Sequence, residues 1–284
     1  MLVVGDVALD VLVTPAAEPV AGADVPARIR SRPGGAGANT AAWLAHLGRE
    51  AGIAVTLVAR IGADPAGRAA AVDLAAAGVT AHLTVDREAA TCTVVALLGA
   101  DDRTLLSDRG AAAGLAPEDL PDVACFDHLH VSGYVLLDGS SRAAGRAALI
   151  AARAAGLTTS VDPQAAPALA VPQRAADFLD DVQGVDLLLP NADELDALGG
   201  TAVVLERVGA VAVSAGAAGA RWADPELRCA VAAQAVAVVD ATGAGDAFDA
   251  GVLVAWLGGA PPAAALAAGC AAGAAAVGRL GARP

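Results

Sequence analysis

A chain of 284 residues with 56% hydrophobic residues can bury a large core, as one α/β domain with a small appendage or as two domains. Its 31 acidic residues outnumber 18 basic residues, all of them arginine, and the net charge of −13 argues against nucleic-acid binding, which needs a basic surface. The N-terminus lacks a signal peptide's basic region, and the apolar stretch 262–277 is too rich in Ala and Gly to predict a membrane span. With four scattered cysteines, these features predict a cytoplasmic protein without membrane partners.

Strand and helix signals alternate along most of the chain. Strands are predicted at residues 2–4, 55–61, 93–98, 128–132, 158–162, 185–189, 211–214 and 236–239. Helices are predicted at residues 39–47, 66–77, 141–155, 193–198, 201–208, 247–257 and 262–277. From about residue 120 the alternation is regular and the strands are continuous apolar runs, which predicts a mostly parallel sheet covered by helices on both faces. Ligands of such sheets lie beyond the carboxyl ends of the strands, so the residues that follow strands are the first functional candidates.

Two early segments depart from this alternation. Residues 11–32 contain prolines and alternating polar positions, and residues 91–109 predict two short strands around a turn at 99–102. These segments predict a small antiparallel sheet outside the main body, acting as a lid or a dimer surface. An exposed edge of that sheet favours a homodimer formed by strand pairing.

Acidic residues follow the first predicted strand. Asp6 and Asp10 lie where carboxylates can accept hydrogen bonds from the hydroxyls of a polyol. A turn that uses Asp only for its local hydrogen bonds explains them as well.

A glycine-rich turn at residues 33–40 leads into the next predicted helix. Gly34 and Gly35 allow a ligand close to the backbone, and Asn39 is either a helix cap or a reader of hydroxyl groups. The turn is not a phosphate-binding loop of the Walker type, because no Lys-Ser/Thr pair follows, and it lacks the spaced dinucleotide fingerprint.

Two further candidate sites follow later strands. Asn191 and Glu194 stand three residues apart at a helix start, so both side chains can face one site, although helix capping explains them too. Ser214, Gly216 and Gly219 follow the next strand and are candidates for binding nucleotide phosphates or ribose, with a plain turn as the alternative.

Cations and histidines are sparse among these candidates. In a chain without lysine, an arginine must supply any side-chain cation for a phosphate group, and Arg103 and Arg109 lie on the predicted lid. The four histidines stand in no recognisable catalytic order with Ser or Cys, so we interpret them as structural.

The stretch at 240–251 carries the strongest signal. An apolar run at 235–239 predicts a buried strand, and good helix formers follow from residue 247. Between them, Gly243, Ala244 and Gly245 open the helix, where unpaired backbone N–H groups and the positive end of the helix dipole favour an anion. Asp246 is unexpected there, because a carboxylate beside a phosphate site is repelled unless it has a function.

Taken together, these stretches resemble the ribokinase-like (PfkB) carbohydrate kinase family, in the same order and over essentially the whole chain. The sequence Asp-x-Thr-Gly-Ala-Gly-Asp at 240–246 and the sequence Gly-Gly-Ala-Gly-Ala-Asn at 34–39 look like its two signatures, and Asn191-x-x-Glu194 looks like a third motif. The resemblance implies one domain over 1–284, a three-layer α/β/α sandwich with a mostly parallel sheet and a β-sheet lid from about 11–32 and 91–109. It also implies phosphoryl transfer from ATP with Mg²⁺.

The resemblance implies roles for single residues as well. Asp246 matches the catalytic base, and Gly243, Ala244 and Gly245 match the anion hole. The implied ligand-binding residues are Asp10, Gly34, Gly35 and Asn39 for the sugar, Asn191 and Glu194 for water-mediated Mg²⁺ and phosphate, Gly216 and Gly219 in the nucleotide region, and Asp240 and Thr242 for a monovalent cation such as K⁺. We add Arg109 as a substrate-binding candidate.

The sequence therefore predicts an ATP-dependent sugar kinase that phosphorylates a primary hydroxyl. A nucleoside kinase is the first alternative, although Phe and Tyr are too few for the base-stacking lid usual in nucleoside kinases. A non-catalytic sugar-binding regulatory protein is the second, and the intact Gly-Ala-Gly-Asp246 stretch argues against it. A dinucleotide-dependent oxidoreductase is less favoured, because the turn after the first strand lacks the glycine fingerprint.

Overall fold

The computed structural model describes residues 1–99 and 103–284. Two sheets contain its strands, whose bounds are β1 (Leu2–Val4), β2 (Ala8–Pro15), β3 (Ala27–Gly34), β4 (Thr56–Gly62), β5 (Thr80–Asp86), β6 (Cys92–Leu98), β7 (Arg103–Asp108), β8 (His128–Ser132), β9 (Thr158–Asp162), β10 (Leu187–Leu188), β11 (Ala210–Ser214), β12 (Ala220–Ala223) and β13 (Arg228–Val231). The helices are α1 (Ala36–Leu47), α2 (Pro65–Ala76), α3 (Gly133–Leu137), α4 (Arg142–Ala154), α5 (Ala166–Leu169), α6 (Pro172–Asp181), α7 (Ala192–Ala197), α8 (Thr201–Leu205), α9 (Ala244–Leu257) and α10 (Pro262–Val277).

The larger sheet has nine strands in the order β13-β12-β11-β10-β9-β8-β1-β4-β5. Strands β5, β4, β1, β8, β9, β10 and β11 are parallel, and β12 and β13 continue the sheet antiparallel. Because successive side chains of a strand point to opposite faces, Val3 packs in one core while Leu2 and Val4 pack in the other. Helices α1, α2, α9 and α10 cover the first face, and α4, α6, α7 and α8 cover the second. The predicted three-layer α/β/α architecture is confirmed.

The smaller sheet has four strands in the order β3-β2-β6-β7. Its strands lie in or next to the segments 11–32 and 91–109 from which the sequence predicted a small sheet. Of the turn predicted at 99–102, residues 100–102 lie outside the described residues. The sheet is mixed, not antiparallel as predicted, because β2 and β6 pair in parallel while β3 and β7 pair antiparallel on the two sides. Strands β3 and β7 form its edges.

The prediction of a buried strand at 236–239 is wrong. Residues 232–238 adopt no regular structure, and Val236, Val238 and Val239 are 44%, 68% and 55% exposed. Apolar residues that line a cavity give the same sequence signal as residues of a buried strand, and this run lines the cavity next to α9 and α10. Strands β12 and β13, which the sequence analysis missed, complete the sheet at this end instead.

Most other predicted elements match the structure closely. The predicted strands at 2–4, 128–132 and 158–162 have the observed bounds, whereas the strand predicted at 185–189 is reduced to Leu187–Leu188. Among the helices of residues 1–99 and 103–284, none combines the length and apolar character needed to cross a bilayer.

Candidate active site

The carboxyl ends of several parallel strands meet the first turn of α9. A cavity of about 250 Å³ lies there, between the ends of β9 and β10 and the turn at 243–245. Four acidic residues line it, namely Asp162, Glu194, Asp246 and Asp249. Three of the motifs singled out in the sequence thus meet at one place, as expected for a sheet of this type.

The turn at 243–245 is shaped for the close approach of a ligand. Gly243 has φ = 75°, which favours glycine, and a Cβ at this residue would lie 2.5 Å from the carbonyl oxygen of Ala282. A Cβ at Gly245 would meet open space, because this residue borders the cavity. The N–H of Ala244 donates to the carbonyl of Ala241 at 3.3 Å. The remaining first-turn amides lie at the positive end of the α9 dipole, so the turn can hold an anion.

Asp246 lies in this first turn and is 9% exposed. Its Oδ2 accepts a hydrogen bond from Nδ2 of Asn39 at 3.0 Å. Burial raises the pKa of Asp246 to about 7, and the nearby charges of Asp6 and Asp10 act in the same direction, while the Asn39 hydrogen bond opposes them. A carboxyl group with this pKa can gain or lose a proton near neutral pH, which suits a general base.

Asn191 and Glu194 form a reciprocal cap at the start of α7. Oδ1 of Asn191 accepts from the Glu194 N–H, and Oε2 of Glu194 accepts from the Asn191 N–H, both at 2.9 Å. Both side chains also line the cavity, so the capping explanation and the functional one are compatible. Burial raises the pKa of Glu194.

Asp162 and Asp249 are cavity residues that the sequence analysis missed. Each is buried, and the two carboxyl groups interact closely with each other. Burial is the main cause that raises both pKa values, and the charge of Glu194 adds to it. Oδ2 of Asp249 is buried without a hydrogen-bond partner among the described residues. Two signals pointed to them: Asp162 ends a parallel strand, and Asp249 stands three residues after Asp246 on the same helix.

The sugar-type candidates lie together on the other side of Asp246. Gly34 ends β3, and its missing Cβ leaves the space that the Asp10 carboxylate occupies. Gly35 caps α1 with φ = 91°, and Asn39 is buried in the second turn of α1. Burial raises the pKa of Asp10 to about 6, and the charge of Asp6 adds to the effect.

Asp6 and Arg109 join the smaller sheet to this site. Asp6 Oδ1 accepts from the Gly37 N–H at 3.1 Å, and its Oδ2 accepts from Nη1 of Arg109 at 3.2 Å. The Arg109 guanidinium lies 5.1 Å from the ring centroid of Tyr134, and its Nε is 3.6 Å from Oδ2 of Asp138. Its Nη2 is buried without a hydrogen-bond partner in the described part of the chain. The Nε of Arg109 also lacks a hydrogen-bond partner there, so two nitrogens of this guanidinium are unpartnered among the described residues.

Arg283 is the other residue that the sequence analysis missed. Its Nε donates to Oδ1 of Asn39 at 3.1 Å, its Nη2 donates to the carbonyl of Gly34 at 2.8 Å, and its Nη1 is bonded to Asp73. No local pattern indicated this role, because its partners are more than 200 positions away in the chain.

A larger cavity of about 510 Å³ adjoins the turn on its other side. Ser214, Gly216 and Gly219, the residues for which the sequence predicts nucleotide binding, line it. Most of its wall is apolar and is formed by residues 233–236, Val238, and α10 residues such as Cys270 and Val277. Ser214 lines both cavities, so they meet beside Gly245.

Asp240 and Thr242 lie in the turn that leads into α9. Oδ1 of Asp240 accepts from the Thr242 N–H at 2.9 Å, and Oδ2 accepts from the Gly281 N–H at 3.0 Å. These bonds fix the turn against the segment that follows α10.

Comparison with known proteins agrees with this geometry. The family model for pfkB family carbohydrate kinases matches residues 1–284. The chain is 34% identical over 269 residues to a fructokinase from Klebsiella pneumoniae, covering 88% of this chain and 82% of that protein. It is also 34% identical over 252 residues to an ATP-dependent ribose-1-phosphate kinase from Halopiger xanaduensis, covering 83% of this chain and 78% of that protein.

Among solved structures, a ribokinase II candidate from Escherichia coli in complex with ATP and Mg²⁺ superposes with a TM-score of 0.87 at 24% identity, covering 99% of this chain and 93% of that one. These matches confirm the resemblance drawn from the three motifs and the fold that it implied.

Proposed function

This chain belongs to the pfkB family of carbohydrate kinases, and from that premise we propose that it transfers the γ-phosphoryl group of ATP to a primary hydroxyl of a small carbohydrate, with Asp246 as the general base. The observation that carries the proposal is the position of Asp246: a buried carboxyl group with a pKa of about 7, in the first helical turn beside an anion-binding turn.

The chemistry follows from that position. Phosphoryl transfer needs positioning and charge neutralisation more than covalent participation of the protein. Asp246 accepts the proton of the attacking hydroxyl as its oxygen bonds to the γ-phosphorus and the bond to the leaving ADP oxygen breaks. The backbone N–H groups of the 243–245 turn hold the charge on the transferring oxygens.

The larger cavity fits ATP. Its apolar wall suits a purine ring, and its volume of about 510 Å³ is in the range of small-molecule sites. A purine base bound in this cavity would bury apolar surface of Val236 and Val238, which are exposed without it. Ser214, Gly216 and Gly219 then lie along the ribose and phosphates, which lead toward the 243–245 turn.

The smaller cavity fits a hydrated Mg²⁺ ion. Mg²⁺ keeps several waters and binds one or two carboxylates together with substrate phosphates. Glu194, aided by Asn191, would hold it through water, and the buried, unpartnered Oδ2 of Asp249 offers another oxygen donor. No group of three His, Cys, Asp or Glu among the described residues is arranged to hold a metal by itself, which agrees with a site completed by phosphates and water. When bound, the ion would neutralise charge on the phosphates.

The acceptor sugar occupies the other side of Asp246. Asp10 supplies acceptor oxygens for hydroxyl groups, and the missing Cβ of Gly34 makes room for that carboxylate, while Gly35 allows the close packing of Asp6 to Ala8 and not of a ligand. Asn39 and the free Nη2 donor of Arg109 add hydrogen-bonding groups to the same region.

A coupled assay of ADP release tests the proposal. Pentoses, hexoses, keto-deoxy acids and nucleosides serve as acceptors, each with Mg²⁺-ATP, and the Asp246→Asn variant is the control for contaminating kinases. A carbohydrate that stimulates ADP release only with the unsubstituted protein supports the proposal. Stimulation by nucleosides alone makes the protein a nucleoside kinase, and tight sugar binding without ADP release makes it a binding protein.

Two further parts of the proposal have their own tests. Asp240 and Thr242 lie at the positions proposed for K⁺, so turnover in K⁺ should exceed turnover in Na⁺ at equal ionic strength. The smaller sheet is the proposed homodimer surface, because its edge strands β3 and β7 can pair with a second copy of the chain. Sedimentation velocity tests this proposal by comparing the unsubstituted chain with Ile29→Pro, which alters β3.

A further inference from the structure

Arg283 holds three acceptors on three different elements. They are Oδ1 of Asn39 in α1, the carbonyl of Gly34 at the end of β3, and the carboxylate of Asp73 in α2. The Arg283 side chain is 10% exposed, whereas that of Asp73 is 39% exposed, so the contact with Asp73 is the one that solvent reaches. A guanidinium suits this arrangement because its donors are fixed in one plane and point in different directions.

The contact with Asn39 fixes which way that amide faces. Arg283 has only donors, so the atom facing it must be the amide oxygen of Asn39. The amide nitrogen must then face the opposite way, where it donates to Oδ2 of Asp246 at 3.0 Å. A chain of hydrogen bonds therefore runs from Asp73 through Arg283 and Asn39 to Asp246.

The segment that carries Arg283 is held against the site by other contacts. Nε1 of Trp43 donates to the carbonyl of Ala282 at 2.9 Å, and the N–H of Gly281 donates to Asp240 at 3.0 Å. The same segment approaches Gly243 so closely that a Cβ there would collide with Ala282. These contacts hold the segment that carries Arg283 against α1 and against the turn that leads into α9.

Charge near Asp246 makes this cation more important. Asp6 and Asp10 act on Asp246 from the side of the proposed sugar site. On the other side, three acidic residues line the smaller cavity together with Asp246, namely Asp162, Glu194 and Asp249. Arg109 pairs with Asp6 and packs on the ring of Tyr134. Arg283 opposes this negative charge and favours the ionised form of Asp246.

We propose that Arg283 is a positioning residue for the general base, which holds the Asn39 amide so that it donates to Asp246 and keeps that carboxylate ionised and oriented toward the acceptor hydroxyl. The proposal rests on the proposed role of Asp246. It assigns Arg283 no contact with the substrate.

The test compares Arg283→Ala with Arg283→Lys and with Arg279→Ala. Arg279 belongs to the same segment but lies 5.6 Å from the Trp43 ring, so it serves as the matched control. In Arg283→Ala we expect kcat to fall by about ten- to a hundredfold, KM for the sugar to change less than kcat, and the acidic limb of kcat/KM to move to higher pH. Lysine keeps the charge but cannot reach three acceptors at once. In Arg283→Lys the acidic limb should therefore move to higher pH by less than in Arg283→Ala, while kcat should recover only a small part of its loss.

Two measurements keep the result clear if Arg283→Ala is unstable. A ¹³C NMR titration of the Asp246 carboxyl in the substrate-free protein, assigned with Asp246→Asn, should show a higher pKa in Arg283→Lys than in the unsubstituted chain. A double-mutant cycle of kcat for Arg283→Lys and Asn39→Ala should be strongly non-additive, because both residues act on the carboxylate of Asp246.

Other outcomes overturn the inference. If Arg283→Ala raises only KM for the sugar, with kcat and the pH profile unchanged, Arg283 is a substrate ligand and not a positioning residue. Equal effects in Arg279→Ala would reduce its role to folding of the segment. If Asp246→Asn is inactive while both Arg283 variants match the unsubstituted chain, the inference fails and the proposed function stands; if Asp246→Asn is fully active, the proposed function itself fails.

Discussion

Asn39 donates a hydrogen bond to Asp246 across 207 positions of sequence, at 3.0 Å between Nδ2 and Oδ2. This bond connects α1, which follows the first glycine-rich turn, to α9, which follows the second. The proposed sugar and phosphate sites therefore share one polar contact, and the carboxyl group between them is the one with a pKa near neutrality.

The two glycines of the anion-binding turn should respond differently to alanine. Gly243→Ala places a Cβ at φ = 75° and 2.5 Å from the Ala282 carbonyl, so it should lower both the free energy of unfolding and turnover. Gly245→Ala meets open space in a helix, so stability should be unchanged or higher by about 0.5–1 kcal/mol while the new methyl group hinders the phosphates. Denaturant unfolding and steady-state kinetics measure both effects. Normal turnover in Gly245→Ala would place the phosphates elsewhere.

Replacing Asp249 with Asn should stabilise the protein and impair catalysis. The pKa of Asp249 is raised by burial and by Asp162, so ionisation of this group in the folded state lowers stability as pH rises above the range of a free carboxyl group. An amide can donate to Asp162 and carries no charge, so we expect Asp249→Asn to be more stable than the unsubstituted chain at pH 8. Turnover with Mg²⁺-ATP should fall by about ten- to a hundredfold, because an oxygen donor of the cavity is lost.

Thermal unfolding at pH 6 and pH 8 checks the first effect, and the dependence of turnover on Mg²⁺ concentration checks the second. If Asp249→Asn is less stable at pH 8 than the unsubstituted chain, ionisation of buried Asp249 does not destabilise the folded protein.

The buried histidines of β8 should make the protein sensitive to mild acid. His128 bonds to Thr158 and Ser160, His130 bonds to Ser160, and burial lowers their pKa values to about 3 and about 4. In the unfolded chain a histidine has a pKa of about 6.5 and takes up a proton below that pH. In the folded chain His128 and His130 stay neutral there, so the free energy of unfolding decreases as pH falls from 6.5. The loss amounts to about 2 kcal/mol per histidine at pH 5.

Urea unfolding of His128→Gln/His130→Gln at pH 7 and pH 5 isolates this effect from that of the acidic residues. The loss between the two pH values should be smaller in this variant than in the unsubstituted chain, and unchanged in a control with the exposed His46 and His82 replaced. An equal loss in both variants would show that other groups govern the acid sensitivity.

Asn39→Ala should weaken sugar binding more than ATP binding. The structure adds a second expectation, because the lost donor opposes the effects that raise the pKa of Asp246. The acidic limb of kcat/KM should therefore move to higher pH. Calorimetry with the sugar and with a non-hydrolysable ATP analogue measures the first effect. A larger loss for the nucleotide would remove Asn39 from the sugar site.

Much of the main sheet was predictable because its central strands are continuous apolar runs between clear helices. Strands at 128–132 and 158–162 were predicted with their observed bounds, and the residues after strands did gather at one edge of the sheet. The three motifs were predictable for the same reason, since each follows a strand in chain order.

The remainder depended on tertiary contacts. The run 235–239 is apolar because it lines a cavity, and composition alone does not distinguish a cavity wall from a buried strand. Arg283 and Asp73 meet across more than 200 positions, and Asp162 and Asp249 pair between β9 and α9. Such partners leave no local periodicity in the sequence.

The central claim is tested most directly by kcat of Asp246→Asn, measured with saturating Mg²⁺-ATP and the acceptor found in the screen. Asparagine keeps the size of the side chain but cannot accept the proton, so kcat should fall by roughly 10²–10⁴ while the affinity for the sugar stays close to normal. In the unsubstituted chain the acidic limb of activity should lie near pH 7, since Asp246 must be ionised to act as a base. A variant that retains the unsubstituted kcat at all pH values would contradict the role of Asp246 as the proton acceptor.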